Sequence, residues 1–119
     1  MLRDTQIFSD MIKKPNIKIR LTFTISTDDL AFNTAKEAEK KFKALTLGFD
    51  NLFMGLELVS SSAHEVYDEE KGYYGVATKS YRYTDVYAEN VLHVHGIVHS
   101  FCALNMFTLS EVNLQFAQI

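Results

Sequence analysis

The chain has 119 residues and a formal net charge of −3, from 12 lysines and arginines against 15 aspartates and glutamates. This length fits one domain with a single core, and the weakly acidic balance excludes a uniformly polycationic nucleic-acid-binding protein. No run of apolar residues approaches the roughly 20 of a transmembrane helix, the charged first residues are unlike a signal peptide, and a single cysteine, Cys102, favours a reducing, intracellular location.

The first predicted elements are a strand and a helix. Residues 16–26, NIKIRLTFTIS, alternate between apolar and polar side chains, and a period of two is typical of a strand with one buried face. Residues 27–29, TDD, offer N-cap chemistry for a helix that continues to about Leu45 with apolar residues at helical spacing. Gly48 is expected to end this helix.

Three further strands and a C-terminal helix are predicted from the rest of the chain. Residues 52–62 and 76–87 have strand-like composition, with a polar turn over 64–75 between them. Residues 91–100, VLHVHGIVHS, predict a fourth strand, and apolar residues at helical spacing predict a helix from about 103 to 119. The order β-α-β-β-β-α predicts an α+β domain of ferredoxin-like type, an antiparallel sheet of four to five strands with helices on one face.

Two histidines carry the most specific chemical pattern. His93 and His95 stand two residues apart in the fourth predicted strand. Because side chains at i and i+2 of a strand share a face, both imidazoles are expected to point the same way and to bind one metal ion. His99 is expected to be a solvated or DNA-facing residue instead.

Polar side chains of the predicted strands offer contacts to DNA. Arg20, Thr22 and Thr24 occupy the polar face of the first strand, where a merely solvated face is the alternative. Lys79 and Arg82 are interleaved with tyrosines, and this combination of cations and aromatic rings can bind the backbone and bases of a single strand.

Two segments resemble motifs of the HUH endonucleases that initiate rolling-circle replication. Residues 92–98, LHVHGIV, resemble the second motif, a histidine pair within an apolar strand, and residues 21–25, LTFTI, resemble the first. Their order, the helix after the first motif and the chain length are similar to those of the small Rep proteins of archaeal rod-shaped viruses, the rudiviruses. The resemblance implies a single HUH endonuclease domain over residues 1–119 with the HUH Rep sandwich fold.

The resemblance also implies an enzyme, a metal-dependent endonuclease and ligase that nicks and rejoins single-stranded DNA at a viral origin or genome terminus. A tyrosine would form a covalent 5′-phosphotyrosine intermediate, and Mn²⁺ or Mg²⁺ bound by His93 and His95 would neutralise charge on the phosphate. The third metal ligand would be Glu111 or Glu57, and either glutamate can also be a solvated acid.

The sequence departs from the family pattern at the nucleophile. All six tyrosines precede His93, and Phe107 stands where the catalytic tyrosine is expected. Phe107 can mark a Tyr→Phe form that cannot nick, or it can be an ordinary core aromatic. Otherwise the nucleophile is an upstream tyrosine such as Tyr83 or Tyr87, or the protein binds DNA without cutting it.

Two functions without catalysis therefore stay open. One is a DNA-binding protein that keeps the HUH fold, and the other is a viral interaction protein whose tyrosine-rich segment, residues 73–87, contacts a partner. A cupin-like metal site is disfavoured because no glutamate follows the histidine pair at short distance. We expect single-stranded DNA as the partner, no membrane association, a homodimer, and a location in the host cell cytoplasm.

Overall fold

The computed structural model describes residues 17–50 and 54–118. The elements in this part of the chain are β1 (Ile17–Ser26), a 3₁₀ turn (Asp28–Leu30), α1 (Ala35–Asp50), β2 (Leu56–Asp68), β3 (Gly72–Asp85), α2 (Ala88–Asn105) and β4 (Thr108–Gln118). The four strands form one open antiparallel sheet in the order β2-β3-β1-β4. The predicted α+β class is confirmed, and the arrangement of four strands and two helices is compatible with a ferredoxin-like fold.

Both helices pack on the same face of the sheet. α1 contacts β2 and β3, whereas α2 contacts mainly β1 and β3 and, less extensively, β4. The centre of the core is β1, whose alternate side chains are almost fully buried against the helices: Ile19, Leu21, Phe23 and Ile25. Because the helices share one side, the opposite face of the sheet has no helix over it in the described ranges.

The first strand is confirmed, whereas α1 begins and ends later than predicted. The Thr34 hydroxyl accepts a hydrogen bond from the Glu37 backbone N–H at 3.1 Å, which is N-cap geometry, so the cap is not provided by residues 27–29. Gly48 lies inside α1 and does not end it. A single glycine lowers helix stability by only about 1 kcal/mol relative to alanine, and packing of the helix on the sheet offsets that cost.

The second and third predicted strands are confirmed and are longer than expected. β2 and β3 form a hairpin whose strands extend through most of the predicted polar turn, residues 64–75. The turn itself is short: the Asp68 carboxylate accepts the backbone N–H groups of Glu70 and Lys71, and Gly72 has a φ of 75°. Residues 52 and 53, the start of the predicted second strand, lie outside the described residues.

The strand predicted over residues 91–100 is wrong, because this segment lies within α2. A stripe of buried side chains at spacings of three and four residues runs along the helix: Val91, Val94, Val98 and Cys102. This stripe packs against the core as the apolar face of a helix does. The short run around the histidines fits either period, and only the longer stripe distinguishes helix from strand.

The predicted C-terminal helix is also wrong, since β4 is an edge strand paired with β1. Glu111 has a φ of 52°, and the β1–β4 register shifts between Thr22 and Thr24, which defines a β-bulge. The extra residue brings Leu109 and Leu114 to the same face although they are five positions apart. A bulge of this kind turns alternation into irregular apolar spacing that imitates a helix.

Candidate functional site

The histidines do not form the predicted pair. Side chains two residues apart on an α-helix point about 200° apart around its axis, so His93 and His95 do not share a face. His95 instead lies beside His99, with ring centroids 4.8 Å apart. The premise of a common strand face for His93 and His95 is therefore wrong.

The two candidate carboxylate ligands lie on the other side of the sheet from the histidines. Glu57 accepts a hydrogen bond from Arg82 at 2.8 Å, and Glu111 accepts one from Thr24 at 3.0 Å, both on the face away from α2. Glu57 and Glu111 also belong to opposite edge strands, three strand spacings or roughly 14 Å apart. Within residues 17–50 and 54–118, no group of three or more His, Cys, Asp or Glu side chains could hold a metal ion. The predicted Mn²⁺ or Mg²⁺ site stays a prediction.

Phe107 is a core aromatic. It lies in the connection between α2 and β4, not on a helix, and it is 6% exposed. Its ring packs on Phe42 with centroids 5.0 Å apart and on Phe101 at 5.6 Å. A tyrosine hydroxyl placed here would be buried among apolar rings, where a phosphate cannot reach it.

The upstream tyrosines differ in their surroundings. Tyr83 is buried and donates a hydrogen bond to Asp85 at 2.9 Å; burial and this bond raise the pKa of Tyr83 to about 12. A raised pKa disfavours the phenolate that would attack a phosphate. Tyr87 is exposed and stands at the start of α2.

Four of the five residues that we predicted to contact DNA share the open face of the sheet. Thr22 stands directly opposite Arg82 in the β1–β3 register, Thr24 bonds Ser80 across the same strands at 3.0 Å, and Arg20 precedes Thr22 on the same face. Further hydroxyl and amide side chains from the neighbouring strands continue this surface: Ser60, Ser62, Ser110, Asn113 and Gln115. We call this surface the open face.

The open face also holds two polar atoms with unmet hydrogen-bonding capacity. In the part of the chain that the structure describes, Arg20 Nε and Thr108 Oγ1 are the buried side-chain atoms without a hydrogen-bond partner. Thr108 stands opposite Ser26, on the same side as Arg20. A buried donor without an acceptor costs about 1–3 kcal/mol, and such a group calls for an ordered water, an ion or a ligand.

Lys79, the fifth predicted DNA contact, points to the other side and is 6% exposed. Its ammonium donates to Thr46 at 2.6 Å and to Asp50 at 2.9 Å, and the Tyr81 hydroxyl also donates to Asp50. Lys79 and Asp50 line a cavity of about 280 Å³ between α1 and the β2–β3 hairpin. The prediction that Lys79 contacts DNA is wrong, because α1 covers it.

Sequence reasoning missed this buried network, although β3 contains a signal for it. Ala77, Lys79, Tyr81 and Tyr83 follow one another at a period of two and therefore share a face. Since the other three are apolar or aromatic, the lysine must be buried with them, and a buried ammonium needs a partner. The partner residues, Thr46 and Asp50, lie on α1. Only the tertiary structure shows that α1 packs over Lys79.

No protein-family model, curated protein or solved structure matches this chain. Among the described helices, none is long and apolar enough to cross a membrane.

Proposed function

We propose that this chain binds single-stranded DNA on the open face of its sheet and does not cut it. The observation that carries this proposal is the half-buried Arg20 guanidinium on a face rich in hydroxyl groups, whose Nε–H has no acceptor in the described structure. Phosphate oxygens are strong acceptors for a guanidinium, which can bind them through two parallel hydrogen bonds.

Two further side chains of the open face, Thr22 and Arg82, fit a nucleic-acid backbone, whereas Glu57 and Glu111 on the same face do not. Thr22 can donate a hydroxyl hydrogen bond to a phosphate or sugar oxygen. Arg82 is paired with Glu57, but this ion pair is substantially exposed, with side-chain exposures of 40% and 59%, so a phosphate can compete for Arg82 at little cost. The described part of this face is a four-stranded sheet surface, which is broader than the helix or two-stranded ribbon that a major groove admits, and this shape favours a single strand over a duplex.

The nicking activity implied by the family resemblance stays a prediction. Its candidate ligands are divided between α2 and the open face, and Phe107 is buried in the core. The homodimer also stays a prediction. The two edge strands of the sheet, β2 and β4, are surfaces on which a second copy could pair.

Fluorescence anisotropy with a labelled single-stranded oligonucleotide tests DNA binding. Arg20→Gln should weaken binding roughly 10- to 100-fold, since a hydrogen bond to a charged group contributes about 1.5–3 kcal/mol. The variant should also lower the slope of the logarithm of the binding constant against the logarithm of the salt concentration by the amount that corresponds to about one phosphate contact. Lys40→Gln makes the same charge change on an exposed site of α1 and should alter the affinity less than about twofold. Equal losses in both variants, or no binding by the unmodified chain, would refute the proposal.

A second assay separates binding from cutting. The unmodified chain and Phe107→Tyr are incubated with the oligonucleotide and Mn²⁺, and the products are resolved under denaturing conditions. We expect no covalent protein–DNA adduct in either sample, because the hydroxyl of the variant would be buried. An adduct with Phe107→Tyr would restore the nuclease hypothesis.

A further inference from the structure

His95 and His99 lie one helical turn apart on α2, on the other side of the sheet from the open face. Residues at i and i+4 are neighbours on a helix surface, and the two rings have centroids 4.8 Å apart with an angle of 71° between their planes. His99 is exposed and His95 is half-buried, so the pair can be reached from solvent. Each neutral imidazole offers one nitrogen lone pair.

We infer that His95 and His99 together bind a divalent transition-metal ion of the Zn²⁺, Ni²⁺ or Cu²⁺ class. Imidazole nitrogens suit these ions, whereas Mg²⁺ and Mn²⁺ prefer carboxylate, carbonyl and water oxygens. No third protein ligand joins the pair among the residues that the structure describes. The ion therefore keeps open positions for water or for a donor group from outside the chain.

The cysteine and the two other histidines of the chain do not belong to this site. Cys102 follows on the same helix but is buried in the core, where burial raises the pKa of its thiol to about 11. His93 lies about 200° from His95 around the helix axis, and His64 is on β2. His93 is consequently a matched control, since it has the same chemistry on the same helix.

Titration calorimetry with Zn²⁺ on the full chain without an affinity tag, in a non-coordinating buffer at pH 7.5, tests the site. We expect one ion per chain. His95→Ala and His99→Ala should each weaken binding roughly 100-fold or more, because two linked ligands exceed single-site affinity by about 10²–10⁴-fold. His93→Ala should change the affinity less than about twofold.

Thermal unfolding supplies a second measurement that does not depend on calorimetric heats. Zn²⁺ should raise the Tm of the unmodified chain and of His93→Ala, and not that of His95→Gln or His99→Gln, since only a folded chain with both ligands gains from binding. Millimolar Mg²⁺ should not compete. The inference would be overturned if the substitutions at His93, His95 and His99 changed the Zn²⁺ affinity equally, or if His93→Ala lost binding. Displacement of Zn²⁺ by Mg²⁺ would also overturn it. The DNA proposal would stand in each case, because Arg20 lies on the opposite face.

Discussion

Replacing Lys79 with methionine removes a buried ammonium and keeps most of the apolar stem. The Lys79 side chain is 7% exposed and that of its partner Asp50 is 23% exposed. The substitution deletes the hydrogen bonds to Asp50 and Thr46 and leaves the carboxylate without its cation. Asp50 keeps the hydrogen bond from the Tyr81 hydroxyl, so it is not left wholly without partners.

The expected loss follows from the burial of the pair. Removing one partner of a buried ion pair costs about 3–5 kcal/mol. Because Asp50 keeps some solvent contact, we expect Lys79→Met to lower the free energy of unfolding by about 2–4 kcal/mol. For a chain of 119 residues each kcal/mol corresponds to about 3–5 °C, so the Tm should fall by roughly 6–20 °C.

Urea unfolding of a double-mutant cycle measures the pair directly. The double variant Lys79→Met, Asp50→Asn should lose about 1–3 kcal/mol less unfolding free energy than the sum of the losses in the two single variants. The reason is that the double variant leaves no unpaired charge. Lys40→Met, at an exposed position of α1, should change stability by less than about 0.5 kcal/mol. If Lys79→Met behaves like this control and the cycle is additive, the Lys79 ammonium is not paired with Asp50 beneath α1.

Other predictions address the backbone, pH and the core. A Cβ at Gly75 would overlap the backbone just before α1, so Gly75→Ala should lower the free energy of unfolding in urea by about 1–3 kcal/mol. A Cβ at Gly48 meets no atoms, so Gly48→Ala should stabilise α1 by up to about 1 kcal/mol. Equal effects of the two substitutions would contradict the packing of β3 against the start of α1. Burial raises the pKa of Asp85, but hydrogen bonds to its carboxylate outweigh burial and hold the pKa below its usual value. The stability from Asp85 should thus be present above about pH 4 and be lost as the pH falls further. Asp85→Asn should remove this part of the dependence of the unfolding free energy on pH. If the variant and the unmodified chain show the same dependence, the hydrogen bonds to Asp85 do not stabilise the fold. Phe107→Tyr should cost about 1–3 kcal/mol for a buried hydroxyl, and a neutral effect in urea unfolding would show that the site is open. The Cys102 thiol, with a pKa raised to about 11 by burial, should react with a thiol reagent only as the protein unfolds, and rapid native labelling would contradict its burial.

Part of the candidate site follows from the sequence because a strand assigns sides by position. Alternation along β1 is sufficient to place Arg20, Thr22 and Thr24 on one face. The same rule separates Lys79 from Arg82, since residues three apart in a strand point to opposite faces. A single DNA-binding surface that includes both cations is therefore inconsistent with a strand over residues 76–87.

The assignment of residues 91–100 and 108–118 needed information from outside those segments. A ten-residue run such as VLHVHGIVHS fits both a period of two and a helical period, and its apolar content favours burial in either form. In residues 108–118 a bulge at Glu111 breaks the alternation of a strand. Both errors led to the same functional consequence, since the histidines and Phe107 were assigned to the wrong kinds of element.

The sequence by itself determined the α+β class, the strands β1, β2 and β3 and the polar identity of the open face, because these depend on patterns repeated over many neighbouring residues. Only the tertiary structure decided that α2 and β4 are a helix and an edge strand, that Lys79 meets Asp50, and that the sheet separates the histidines from Glu57 and Glu111. These features depend on which distant surfaces bury one another, and the free energy of that burial exceeds the small differences between local backbone preferences.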